Sequence, residues 1–209
     1  MLFIKNRLFG LKVKDRGKCN KIAGIGGCRI SKTKVFFYGD NNSVVLGDMS
    51  TLSGVSIHIH GSNNIIDFGK RNFLSGCVFC IEDNNNSIKT GEHVYIYKET
   101  EISAIESTSV EIGKDCLFSA FILIRTGDSH VIADKTTNER LNHSKSIRIA
   151  EKVWIGIDSK VLKGSNIGKE CVIGSGSVVT QSTPTAENAI LAGIPAKIVK
   201  QNITWSQTR

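Results

Sequence analysis

Gly47, Gly69, Gly91 and Gly113 stand 22 residues apart, and the residues around them repeat at the same interval. The turn Gly39-Asp40-Asn41-Asn42 returns as Gly61-Ser62-Asn63-Asn64 and again as Asp83-Asn84-Asn85-Asn86. After residue 146 the interval falls to 18, with Ile149-Ala150 answered by Ile167-Gly168. Within that stretch Ile149, Ile155, Val161, Ile167, Ile173 and Val179 keep a six-residue step. A second column follows four positions later: Val153, Ser159, Ser165, Cys171, Ser177 and Thr183. A fixed period near 20 residues describes a solenoid, whose units bury their apolar face only by stacking.

The hexad predicts one large aliphatic and one small residue turned inward, with Gly or Ala at the corner. Three hexads make one triangular turn that returns as a parallel strand, about 4.8 Å above its start. The 22-residue turns read as the same coil with a longer, Asn-rich corner, because Asn tolerates positive φ and bonds its own backbone. The registers add up to about seven coils of an all-β parallel β-helix. No stretch before residue 184 holds a 3.6-residue apolar spacing for three turns, so a helical fold is excluded.

Residues 1–34 hold ten Lys/Arg against one acid, Asp15, a net +9 in a chain whose total is +8. They read either as a solvated basic cap over the first coil or as a surface for an anionic polymer or phospholipid headgroups. Nucleic acid is not expected, because this segment lacks interleaved aromatics for base stacking. No run of about 18 apolar residues suggests a membrane span, and the N-terminus lacks a secretory core, so a cytoplasmic location is expected. Cys116 and Cys171 fall in the small inward column and read as core residues of a reducing compartment. The division expected is a cap over 1–34, a β-helix over 35–200 and a tail over 201–209.

The repeat breaks once. Between Ile112-Gly113 and Ile149-Ala150 the interval is 37, one coil plus 15 residues. The excess lies at 127–145, a polar stretch with two histidines, and an insertion at a solenoid corner commonly builds the binding face.

The stretch Ile147–Gly156, the hexads to Val179 and the tail Leu191-Ala192-Gly193-Ile194-Pro195-Ala196-Lys197-Ile198 resemble the hexapeptide-repeat acyltransferases. That resemblance implies a left-handed β-helix, a homotrimer and acetyl-CoA as co-substrate. The stretch Thr126-Gly127-Asp128-Ser129-His130, with Trp154 24 residues after His130, is similar to sugar and polysaccharide O-acetyltransferases, above all the capsule enzymes that acetylate polysialic acid. It implies His130 as general base and Trp154 as a wall of the acyl-transfer site. A neutral imidazole suits removal of a proton from a sugar hydroxyl near neutral pH. Asp128 could orient the ring or be solvated, and Ser129 and His143 could contact the acceptor. Backbone groups near Trp154–Gly156 are candidate donors to the developing oxyanion. Gly156, Gly174, Ser175 and Gly176 leave backbone open to a CoA chain, as do Ala192, Gly193 and Pro195 of the tail. Lys163, Lys197 and Lys200 are candidate phosphate partners. No metal is expected. The rivals are an amino-sugar N-acetyltransferase, a zinc hydratase built on His58, His60, Cys80 and Glu82, and a non-catalytic binding solenoid; Cys77-x-x-Cys80 is only half of a zinc motif. The acceptor expected is a carbohydrate in acidic polymer form, such as a sialic-acid-containing capsule.

Overall fold

The computed structural model describes residues 10–208. They wind into a three-faced parallel β-helix of seven complete coils and a partial eighth. The first face carries eight strands from Leu11–Asp15 to Val178–Val179, and the second carries seven from Lys21–Ala23 to Asn166–Ile167. The third carries eight parallel strands from Arg29–Ser31 to Ala189–Gly193, closed by the antiparallel strand Ala196–Gln201. Below, the first corner joins the first and second faces, the second corner joins the second and third, and the third corner leads back to the first face.

The pairing register is the sequence period made physical. Ser43 pairs with Ile65 and Thr51 with Phe73, each 22 residues on. Val110 pairs with Ile147, which is the 37-residue step, and Trp154 with Val172, which is the 18-residue step. Along each strand alternate residues turn in, so a one-residue slip would expose a whole column. Ile149, Ile155, Val161, Ile167, Ile173 and Val179 are all at most 3% exposed, and the small column from Val153 to Thr183 is buried with them.

The two coil sizes are filled differently. The fully buried phenylalanines, Phe37, Phe68, Phe79 and Phe118, all lie in the longer coils, where Phe68 and Phe79 meet edge to face at 4.8 Å. The shorter coils hold Ile and Val instead. A wider triangle needs larger side chains to reach interior packing density.

The Asn-rich corner divides its labour. Asn41, Asn63 and Asn85 take positive φ, as their residue type favours. Asn42, Asn64 and Asn86 turn inward and form a ladder. Asn64 N–H donates to Asn42 Oδ1 at 3.0 Å, Asn86 N–H to Asn64 Oδ1 at 2.8 Å, and Thr108 N–H to Asn86 Oδ1 at 2.9 Å. A buried amide left without such partners would cost about 1–3 kcal/mol, so this ladder both permits and requires the repeat.

The basic cap expected over 1–34 is, over its described part, the first coil itself. Leu11 pairs with Thr33, Lys21 with Ser43 and Arg29 with Thr51, in register with every coil below. Alternating Lys with Val13, Ile22 and Ile30 hid the strand pattern behind its charge. Residues 1–9 of that expected cap lie outside the described residues.

Candidate functional site

The insertion leaves the helix after the strand Leu123–Arg125 and returns at Ile147–Ile149, so it hangs from the first corner. Its root is tight: a Cβ on Gly127 would stand 2.1 Å from Ser144 Oγ and 2.7 Å from Ile105 Cδ1. Thr126 Oγ1 accepts from Ile105 N–H at 3.0 Å and from Thr108 Oγ1 at 2.7 Å, fixing the chain where it departs. Beyond this root, an isolated bridge between Ala133 and Arg140 closes the loop on itself.

Asn142 is the hub of this loop. It is 8% exposed, and its Nδ2 donates to His130 O at 2.7 Å and to Asp128 Oδ2 at 2.9 Å. Its Oδ1 accepts from Ile132 N–H at 2.7 Å, so one buried amide grips the backbone on both sides of Val131, directly after His130. A second clamp is ionic. Arg140 and Ser144 both bond Glu106, at 2.9 Å and 2.7 Å, and hold its carboxyl down to about 2. Neither Asn142 nor Glu106 carries a spacing signal that would have exposed its role in the sequence.

The His130 imidazole is exposed, and no described residue hydrogen-bonds its ring. Asp128, expected as a possible orienter, turns elsewhere. Its carboxylate takes an ion pair from Lys163 Nζ and the bond from Asn142, which together hold it below the usual carboxylate range. Lys163, expected at a CoA phosphate, is thereby committed to the loop; it also donates to Asn142 O at 3.1 Å. Arg125 donates to Ser129 Oγ, which sits beside His130 at positive φ. His143 is exposed next to the buried Asn142.

Trp154 lies on a different face. It points outward from the third face between Leu117 and Val172, 38% exposed. Its Nε1 donates to Ser119 Oγ at 3.3 Å, and Trp205 of the C-terminal tail packs on it at 6.0 Å between ring centres. Just past it the third corner is a strip of small residues. Gly156, Gly174 and Ala192 stack on successive coils, where Gly156 N–H donates to Ile173 O and Gly174 N–H to Leu191 O at 2.8 Å. A Cβ on Gly174 would come within 2.9 Å of Ala192 Cβ, whereas one on Gly176 would meet nothing within 4 Å. Ser175 and Gly176 are exposed beside this strip. Gly193 and Pro195 form the turn of the terminal hairpin, and Lys197, paired with Ala192, is exposed on its return strand with Lys200 beyond it.

One chain therefore gathers the expected residues into two groups. Asp128, Ser129, His130, His143 and Lys163 belong to the first corner. Trp154, Gly156, Gly174, Ser175, Gly176, Ala192, Gly193, Pro195 and Lys197 belong to the third face and third corner. Both groups carry exposed apolar side chains: Val131, Ile132 and Leu141 on the loop, Phe121 and Ile157 at the third corner.

The histidines of the rival metal reading are otherwise engaged. His58 stacks on Phe36 at 4.7 Å and His60 on Tyr38 at 4.5 Å. Cys80 pairs in register with His58 as the 22-residue step implies, while Cys77 is buried in the core with its thiol pushed up to about 12. Glu82 lies by Arg125 at 3.4 Å.

The bacterial transferase hexapeptide family (six repeats) matches residues 146–181. Over 123 residues, 56% of this chain, the sequence is 33% identical to a polysialic acid O-acetyltransferase of Escherichia coli O1:K1 / APEC, covering 39% of that protein. Over 111 residues, 53% of this chain, it is 32% identical to a galactoside O-acetyltransferase of Lactococcus lactis, covering 52% of it. The chain thus spans about half or less of the length of these curated relatives. Two solved structures match far more of it. The polySia-specific acetyltransferase NeuO superposes with a TM-score of 0.88 at 28% identity, over 95% of this chain and 90% of that one. The polysialic acid O-acetyltransferase OatWY does so at 0.90 and 29%, over 94% and 92%. Coils of opposite hand do not superpose over their whole length, and the shared winding is left-handed. The chain is a left-handed β-helix that carries a bacterial transferase hexapeptide stretch at residues 146–181 and is similar, over 94–95% of its length, to two solved polysialic acid O-acetyltransferases.

Proposed function

We propose that this chain is an acetyl-CoA-dependent O-acetyltransferase of an acidic surface polysaccharide, working as a homotrimer whose active sites lie between copies. The observation that carries the assembly is the separation of His130 from Trp154 onto different faces of one prism. A closed ring of three copies brings the 127–145 loop of one against the Trp154 end of the third face of the next and leaves the rest of that face open. The apolar side chains on both groups, Val131, Ile132 and Leu141 against Phe121 and Ile157, favour that contact. The likeness to two polysialic acid O-acetyltransferases supports the acceptor class.

The third corner fits a CoA chain. Its backbone is open at Gly176, where a Cβ would meet nothing within 4 Å, whereas Gly156 and Gly174 serve the close stacking of the coils beneath it. Exposed Lys197 and Lys200 stand beside it for phosphate oxygens, and Lys163 is left out because Asp128 holds it. Acetyl-CoA supplies an activated acetyl thioester. His130 accepts the proton of the sugar hydroxyl as that oxygen forms its bond to the acetyl carbon, then gives the proton to the leaving sulfur. Trp154 walls the acyl-transfer site and excludes water. Asn142 fixes the His130 backbone, so the imidazole needs no carboxylate partner within its own chain. We place the enzyme in the cytoplasm, where its six free cysteines stay reduced.

The test is CoA release from acetyl-CoA over a panel of acidic and neutral polysaccharides, for the wild type and His130→Ala. Acceptor-dependent release that falls at least about 100-fold in the variant, with acetyl-CoA binding retained, is expected. Undiminished release in the variant would refute His130 as the base.

A further inference from the structure

The outward column of the third face runs Arg29, Thr51, Phe73, Tyr95, Leu117, Trp154, each the direct register partner of the next. At the interstrand spacing of about 4.8 Å, the path from Trp154 to Arg29 is roughly 24 Å long. Three features of this column have no part in the chemistry above.

The first is a relay. His93 Nδ1 lies 2.9 Å from Asp115 Oδ1, and His93 Nε2 lies 3.0 Å from the Tyr95 hydroxyl. A carboxylate only accepts, so Nδ1 carries a proton, and in the neutral tautomer this defines, Nε2 accepts the phenolic proton. The Tyr95 oxygen then keeps its lone pairs, and no other described residue bonds it. It is a fixed acceptor aimed at a ligand hydroxyl. The second is apolar. Phe73 packs against Tyr95 at 6.1 Å and Tyr97 at 5.9 Å between centres, and Tyr97 stays 41% exposed. Aromatic edges beside a preset hydrogen-bond acceptor suit the mixed C–H and O–H surface of a sugar. The third is charge. Arg29 ends the column and Lys32 borders it, both exposed and in no ion pair among the described residues. Asp115, beside Tyr95, is already engaged by His93.

We infer that this column is a track for an extended acidic polysaccharide, which runs from the acetylated sugar at Trp154 toward the basic first coil. Tyr95 receives a hydroxyl of a sugar about 10 Å from the reacting one, two steps along the column. Arg29 meets a carboxylate near the far end. The inference rests on the O-acetyltransferase reading and adds to it a distal subsite that favours polymers over single sugars.

Binding is read in the His130→Ala background by calorimetry, which separates it from turnover. The probes are a sialic acid disaccharide, an oligomer of about eight residues, long enough for the track, and a neutral glucan oligomer of equal length. Tyr95→Phe, which keeps the ring, should weaken the long sialic oligomer roughly three- to tenfold and leave the disaccharide within about twofold. Arg29→Gln should show the same selectivity and flatten the salt dependence of oligomer binding. Equal loss for both sialic probes, no loss for either, or equal affinity for the glucan would overturn the track. Absence of acceptor-driven CoA release in the wild type would instead refute the transferase reading, and the long oligomer's binding would still test the track.

Discussion

Asn142 holds His130 by its backbone: one buried amide donates to the His130 carbonyl at 2.7 Å and accepts from the Ile132 amide at 2.7 Å. The ring is exposed while the main chain under it is clamped. That arrangement fixes the origin of an exposed side chain without a bond to the ring itself.

Asn142→Ala removes the clamp and leaves the His130 carbonyl and Ile132 amide to water. The expected result is a fall in kcat of roughly 10- to 100-fold, because misplacement of a base by about 1 Å costs that much. The KM for acetyl-CoA should stay within about twofold. Steady-state kinetics decide it, and an unchanged kcat would remove Asn142 from the account.

Asp128 pairs with Lys163 instead of orienting His130. Asp128→Asn should therefore keep more than about a tenth of the activity, far from the 10⁴-fold loss seen when an orienting carboxylate is neutralised. A loss of that larger size would return Asp128 to the catalytic group.

The carboxyl of Glu106 titrates at about 2 in the folded chain, below its ordinary value of 4.5, through bonds from Arg140 and Ser144. A depressed acid stabilises above its unfolded pKa and loses that contribution as pH falls through the folded one. Loop anchoring should thus be intact above about pH 4.5 and lost toward pH 2. Hydrogen exchange across residues 130–142 should quicken over that window in the wild type. Glu106→Gln should exchange fast, with no such pH step, throughout.

Corner glycines differ sharply in what they tolerate. A Cβ on Gly69 would stand 2.3 Å from Gly91 O and 2.4 Å from Gly91 C, both backbone atoms, whereas one on Gly26 meets nothing within 4 Å. Gly69→Ala should lower stability by more than about 1 kcal/mol and Gly26→Ala by less than about 0.5 kcal/mol. Thermal melts of the two variants check this.

The coil was readable because each buried position recurs at a fixed step. Ile149 to Val179 announce the core, and Gly47 to Gly113 announce a corner where successive backbones touch. The first coil was harder to see, since Lys12, Lys14 and Lys21 fill its outward positions and only Leu11, Val13 and Ile22 remain to signal a strand. The insertion was legible as a break in period, and resemblance alone singles out His130 and Trp154. Their mutual arrangement was not legible, because it depends on which corner the loop leaves from. The partners of Asp128 were hidden too: Lys163 lies 35 residues away, a distance no local pattern reports.

The most direct measurement is complementation between His130→Ala and Trp154→Ala. Each variant alone should be inactive. Coexpressed and purified as mixed assemblies, they should recover about a quarter of wild-type CoA release, since about one site in four draws His130 and Trp154 from intact copies. Mixed assemblies no more active than either parent would contradict a site shared between chains.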